Sequence, residues 1–207
     1  MESWSFINIF ETLAQAVPDR LAVACGDERI TYAELDRRAN AVAWHLHDLG
    51  IGADDKVGID LVNSSAYMEV FFGAQKVGAV PFNVNYRYQA EELKYLLDNA
   101  DARAVFVHPE FAEPLTGAVE LLGADAPAVV GVPHGDEALP DSLAYVSLSD
   151  IRRDGRAGSP PPRREPSGDD LIFIYTGGTT GMPKAVMWRS DDLYRVLWMH
   201  ARPGKPL

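Results

Sequence analysis

Four short apolar runs at residues 57–61, 79–82, 104–107 and 128–132 are separated by three amphipathic segments at 65–77, 89–99 and 109–122. No other feature narrows the fold as far. Apolar runs of this length read as strands buried on both faces, and intervening segments with helical spacing supply the crossovers that bring parallel strands side by side. The fold class is therefore α/β, a doubly wound, mostly parallel sheet flanked by helices. With 207 residues, 47% of them hydrophobic and 24% charged, the chain can bury one good-sized core or two small ones.

Around this block the chain divides into residues 1–55, 56–152, 153–168 and 169–207. In the first part, residues 6–17 have helical periodicity, and Gly26-Asp27 marks the turn of a hairpin between 21–25 and 29–31. Thr31 followed by Glu34 predicts a capping box for a long helix whose apolar stripe includes Leu35, Val42 and Leu46 and which Gly50 ends. The third part, rich in proline and glycine, reads as a solvated, disorder-prone connector. Residues 171–174 are an unbroken apolar run expected to form a central strand buried on both faces. Residues 185–188 suit a second strand, and Ser190 is placed to cap a last helix with Leu193, Val196, Leu197 and His200 on its apolar face.

The formal net charge of −11 sets the long-range field against nucleic acid and anionic membranes. The single cysteine, Cys25, excludes an internal disulfide and reads as a small core residue. No basic leader opens the chain and no stretch reaches the length of a membrane span, so the expected compartment is the cytoplasm. His45 and His47, two apart on a helix, face different ways and do not share a metal ion. His108 and His134 fall in loops and are not read as catalytic, and no protein metal site is expected.

One stretch carries chemistry. In Thr176-Gly177-Gly178-Thr179-Thr180-Gly181-Met182-Pro183-Lys184, three glycines free the backbone, three threonine hydroxyls and the amides donate hydrogen bonds, and Lys184 adds a compact positive charge. Such a loop suits a polyphosphate. It is not a strand-loop-helix P-loop, because Pro183 precedes the lysine where glycine is needed and Ala185 follows it where a hydroxyl residue is needed. The unit is strand, loop, strand.

The run from Tyr175 to Lys184 resembles the phosphate-binding signature of the adenylate-forming superfamily, which includes acyl-CoA synthetases, luciferases and peptide-synthetase adenylation domains. Gly177 stands where serine is frequent and Ala185 where glycine is usual. Ile30-Thr31-Tyr32-Ala33-Glu34-Leu35 is similar to an early motif of the same enzymes. The run from Gln75 to Arg87 is similar to another, read here chiefly as architecture: Gly78 permits a close turn and Pro81 marks an edge or bulge.

The resemblance implies an ATP-dependent acid–thiol ligase of the acyl-CoA synthetase type, acting on a carboxylic acid such as a fatty acid, with ATP, Mg2+ and coenzyme A. It implies that Thr176, Gly177, Gly178, Thr179, Thr180, Gly181 and Lys184 hold the β- and γ-phosphates, and that Lys184 is the catalytic residue that offsets charge on departing pyrophosphate. The family's ribose, adenine and carboxylate segments, and the lysine of its mobile domain, lie beyond the phosphate loop. The chain is therefore expected to be an N-terminal portion, inactive alone, with Leu35, Val42 and Leu46 partly uncovered and favouring a homo-oligomer. The competing expectation is a nucleotide-binding or scaffolding fragment without turnover. An adenylation unit that loads a carrier protein is a further alternative within the enzyme class.

Overall fold

The computed structural model describes residues 4–134, 139–177 and 182–200, the last three of these by backbone alone. Helix α1 (Phe6–Ala16) begins at Ser5, whose hydroxyl accepts from the Asn8 amide. Strands β1 (Leu21–Cys25) and β2 (Glu28–Thr31) form the expected antiparallel hairpin. Thr31 then caps α2 (Tyr32–Asp48), accepting from the Glu34 amide at 3.2 Å. The other half of the capping box is absent: the Glu34 carboxylate goes to Arg37 and Arg38 instead, which hold it down to a pKa of about 2.

The main sheet contains β3 (Lys56–Asp60), β4 (Val80–Asn83), β5 (Ala102–Val107), β6 (Ala128–Gly131), β7 (Val146–Ser147), β8 (Leu171–Thr176) and β9 (Lys184–Arg189). Their spatial order is β7-β6-β5-β3-β4-β8-β9, with every neighbouring pair parallel except the antiparallel β8 and β9. Alternation along each strand sends side chains to two cores. Ile59, Ala104, Phe106 and Val130 pack with α2, α3 (Ser65–Lys76) and α6 (Leu148–Ile151), whereas Phe82, Val105, Val107 and Val129 pack with α4 (Ala90–Asn99) and α5 (Ala112–Leu122). Helices on both faces make the sheet doubly wound.

A third cluster lies between the hairpin and the first three helices, where Phe10 stacks on Phe72 at 3.9 Å and Ile7, Ile30 and Leu35 fill in around them. Helices α2 and α3 touch backbone to side chain: a Cβ on Gly73 would lie 2.5 Å from Val42 Cγ1. Gly78, at φ +78°, makes the tight turn from α3 to β4.

Five expectations are corrected here. Leu35, Val42 and Leu46 are at most 2% exposed, because α1, α3 and the hairpin cover them, so that face gives no ground for self-association. The connector at 153–168 is pinned rather than solvated. Trp44 Nε1 donates to the carbonyls of Arg156 and Ser159, Asn40 donates to the carbonyl of Ala157, Arg163 pairs with Glu11, and Ala157 is buried. Strand β8 is not buried on both faces, since Ile172 and Tyr175 are buried but Ile174 is exposed. Cys25 is half-buried at the hairpin turn instead of in the core. The Ser190 hydroxyl is buried without a partner among the described residues, so it does not cap α7 (Ser190–His200), whose Val196 and Leu197 are exposed. The His200 side chain lies outside the described atoms.

Candidate functional site

Strands β8 and β9 run antiparallel over their full length, ending with Thr176 opposite Lys184. The intervening loop therefore leaves and re-enters the sheet at a single rung, at the carboxyl edge where open α/β sheets place their ligands. Thr176, Gly177 and Lys184 are all exposed at this edge. Among the described residues Lys184 enters no ion pair, and a Cβ added to Gly177 would meet no atom within 4 Å. Gly178, Thr179, Thr180 and Gly181 lie outside the described residues.

The stem of the loop is held by a side-chain clamp that the sequence reading missed in its particulars. Strands β4 and β8 share only the pair Phe82 and Phe173 in register. One residue on, Asn83 continues the ladder with its side-chain amide. Its Oδ1 accepts from the Tyr175 amide at 3.0 Å, and its Nδ2 reaches the Tyr175 carbonyl at 3.5 Å. Tyr175 in turn packs edge-on against Phe82 and donates its hydroxyl to Asn99 Oδ1 at 3.1 Å. Burial, with the charge of neighbouring Tyr95 and Asp101 adding to it, raises the Tyr175 pKa and keeps it a donor. The amino end of β8 is fixed by Arg189, which pairs with Asp169 and Asp192. Asn83 belongs to the stretch read as architecture, and that is the part it plays.

The same edge carries other polar groups at the ends of β3 and β5. Asp60 is 1% exposed, and burial pushes its carboxyl up to about 7. His108 is also 1% exposed, with neither ring nitrogen hydrogen-bonded among the described residues; burial, with His134 adding to it, lowers its pKa to about 4. Its backbone amide donates to the Asp60 carbonyl. His134, 26 residues further on, stands against it with ring centres 4.5 Å apart and contacts Glu110 at 2.7 Å. Nothing local in the sequence joins these two histidines, because their proximity depends on β5 and β6 being neighbours.

The family model of the AMP-binding enzyme matches residues 10–204, and the chain belongs to that family. It is 40% identical to a medium/long-chain-fatty-acid–CoA/3-oxocholest-4-en-26-oate–CoA ligase of Mycobacterium marinum, over 92% of this chain and 35% of that one. It is 36% identical to the medium-chain acyl-CoA ligase Mig of Mycobacterium avium, over 90% of this chain and 36% of that one. Among solved structures, an anthranilate CoA ligase in complex with anthranoyl-AMP superposes with a TM-score of 0.79 at 25% identity, covering 95% of this chain and 37% of that one. A fatty acyl CoA synthetase of Mycobacterium tuberculosis gives 0.69 at 26% identity, covering 92% and 35%. The chain thus spans about a third of the length of these relatives. Among the described residues, no helix is long and apolar enough to cross a membrane.

Proposed function

We propose that this chain supplies the ATP-phosphate-binding part of an acid–thiol ligase that activates a carboxylic acid, of the fatty-acid class, and passes it to coenzyme A. In the first step a carboxylate oxygen bonds to the α-phosphorus of ATP and pyrophosphate leaves. In the second a thiol adds to the acyl carbon, gives up its proton, and AMP departs. The observation that carries the reading is the Thr176–Lys184 rung. A hydroxyl and an ammonium without an ion pair among the described residues stand opposite one another at the mouth of the loop, on strands held by the Asn83 clamp and by Arg189. The names of the relatives support the choice of acyl group and acceptor.

In this reading Lys184 acts electrostatically, meeting the negative charge that grows on the bridging oxygen as pyrophosphate departs, while Thr176 and the loop amides around Gly177 hold the β- and γ-phosphates. Thr176 and Lys184 offer no carboxylate, so Mg2+ is expected to arrive on the nucleotide itself.

Exchange of labelled pyrophosphate into ATP, measured on a complete ligase that contains this chain, with magnesium and a series of fatty acids, tests the proposal. A charge-assisted hydrogen bond is worth about 1.5 to 3 kcal/mol, so Lys184→Ala should slow exchange by about ten- to a few-hundred-fold with circular dichroism unchanged. An unaltered rate removes Lys184 from the mechanism. Nucleotide binding without exchange for any acid favours the scaffold reading.

A further inference from the structure

A second cluster at the carboxyl edge is not accounted for by the ligase chemistry. His108 directly follows β5, Glu110 lies in the single turn after it, and His134 follows β6. One ligand atom from each can be chosen so that all three lie within 4.8 Å of one another. The cluster also adjoins the point, between β3 and β5, where the winding of the sheet reverses. Strand β3 leads into α3 on one face, while β5 beside it leads into α5 on the other. Crevices of this kind are where doubly wound sheets accommodate ligands. The phosphate loop follows β8, three strand positions from β5, or about 14 Å at the usual spacing.

What singles the cluster out is the buried histidine. A neutral imidazole has one donor and one acceptor, and buried polar atoms in native proteins are nearly always paired. Among the described residues neither nitrogen of His108 is paired although it is 1% exposed, and it faces His134 with ring planes at 60°. A merely structural arrangement would give at least one of those nitrogens a partner.

We propose that His108, Glu110 and His134 form a binding site for a divalent transition-metal ion of the Zn2+ type. Two imidazoles and one carboxylate are the nitrogen and oxygen donors such an ion takes, with a fourth position left for water. Tetrahedral ligands lie about 3.3 Å apart, so the widest separation in the group closes by up to about 1.5 Å on binding. The movement falls to Glu110 and His134, whose side chains reach solvent, 31% and 46% exposed, while His108 stays fixed. The ion ties the ends of β5 and β6 together at a point where no backbone rung continues.

Titration calorimetry of the full chain with Zn2+ alone, with no nucleotide present, tests this. The expected result is one ion bound per chain, with His134→Ala and Glu110→Gln each weakening binding by at least about tenfold. Cobalt(II) bound at the same site should show the intense visible bands of a tetrahedral ion, lost in the same variants. His108→Ala removes a buried ring and can fail to fold, so the two surface substitutions decide the matter. Absence of Zn2+ binding, or binding that neither substitution changes, overturns the proposal.

Discussion

Two lysines show how differently this chain treats charge at its two ends. Lys76, on the last turn of α3, is 1% exposed, and its ammonium is held by Glu11 at 2.7 Å and Asp36 at 2.8 Å. Close by, fully buried Glu69 takes Arg38 at 3.0 Å and Arg152 at 2.9 Å, joining α2, α3 and the end of α6. Lys184, at the far edge of the sheet, is exposed and without an ion pair among the described residues. The same contrast holds for apolar side chains. Those of the β3–β6 half are covered on both faces, whereas Ile174, Val186, Met187, Val196 and Leu197 on β8, β9 and α7 stand open. Charge in the first region holds elements together. In the second, Arg189 and Arg195 make local pairs with Asp169, Asp192 and Asp191, while Lys184 enters no ion pair among the described residues.

Substitutions in the two regions should therefore fail in different ways. The largest effect is expected from Glu69→Ala, which takes from Arg152 its carboxylate partner and from Arg38 one of three, and should cost about 3–5 kcal/mol of stability, read from the midpoint of urea unfolding. A shift under about 1 kcal/mol would mean that the network is solvated, and the contrast with Lys184 would weaken. Next comes Lys184→Ala, at about 1.5 to 3 kcal/mol, felt in pyrophosphate exchange but not in the urea midpoint. Asn83→Ala removes the clamp on Tyr175 and should cost about 1 kcal/mol, with faster hydrogen exchange confined to amides of β8. Exchange that quickens across the whole sheet would instead place Asn83 in the covered half. The smallest effect belongs to Gly177→Ser, within about 0.5 kcal/mol by thermal unfolding, since no described atom lies within 4 Å of a Cβ at that position.

The sequence made the architecture legible wherever a local period reports burial. Each run in the alternating block became a strand or helix, and Gly78 and the Thr31 cap appear as read. It failed where contacts span long separations. Residues 153–168 have the composition of free chain, yet Trp44 and Asn40 hold them from more than a hundred positions away. Lys76 and Glu69 look like ordinary surface charges, because nothing local announces that α1, the hairpin and the connector close over them. At the candidate site, the residue types of the loop carried the chemistry, and the structure adds the rung that joins Thr176 to Lys184. Asn83 and the His108–His134 contact needed the strand order, which periodicity does not encode.

The antiparallel rung between Thr176 and Lys184 makes the span of residues 177–183 a matter of counting as well as composition. Strand side chains point alternately to opposite faces of a sheet. One residue added to or removed from that span, with β9 re-pairing one place along, would turn the ammonium to the other side of the molecule while every residue type was kept. The tolerance expected at Gly177 is thus tolerance of shape at fixed length, and a single-codon insertion should silence the site more thoroughly than any one substitution within it.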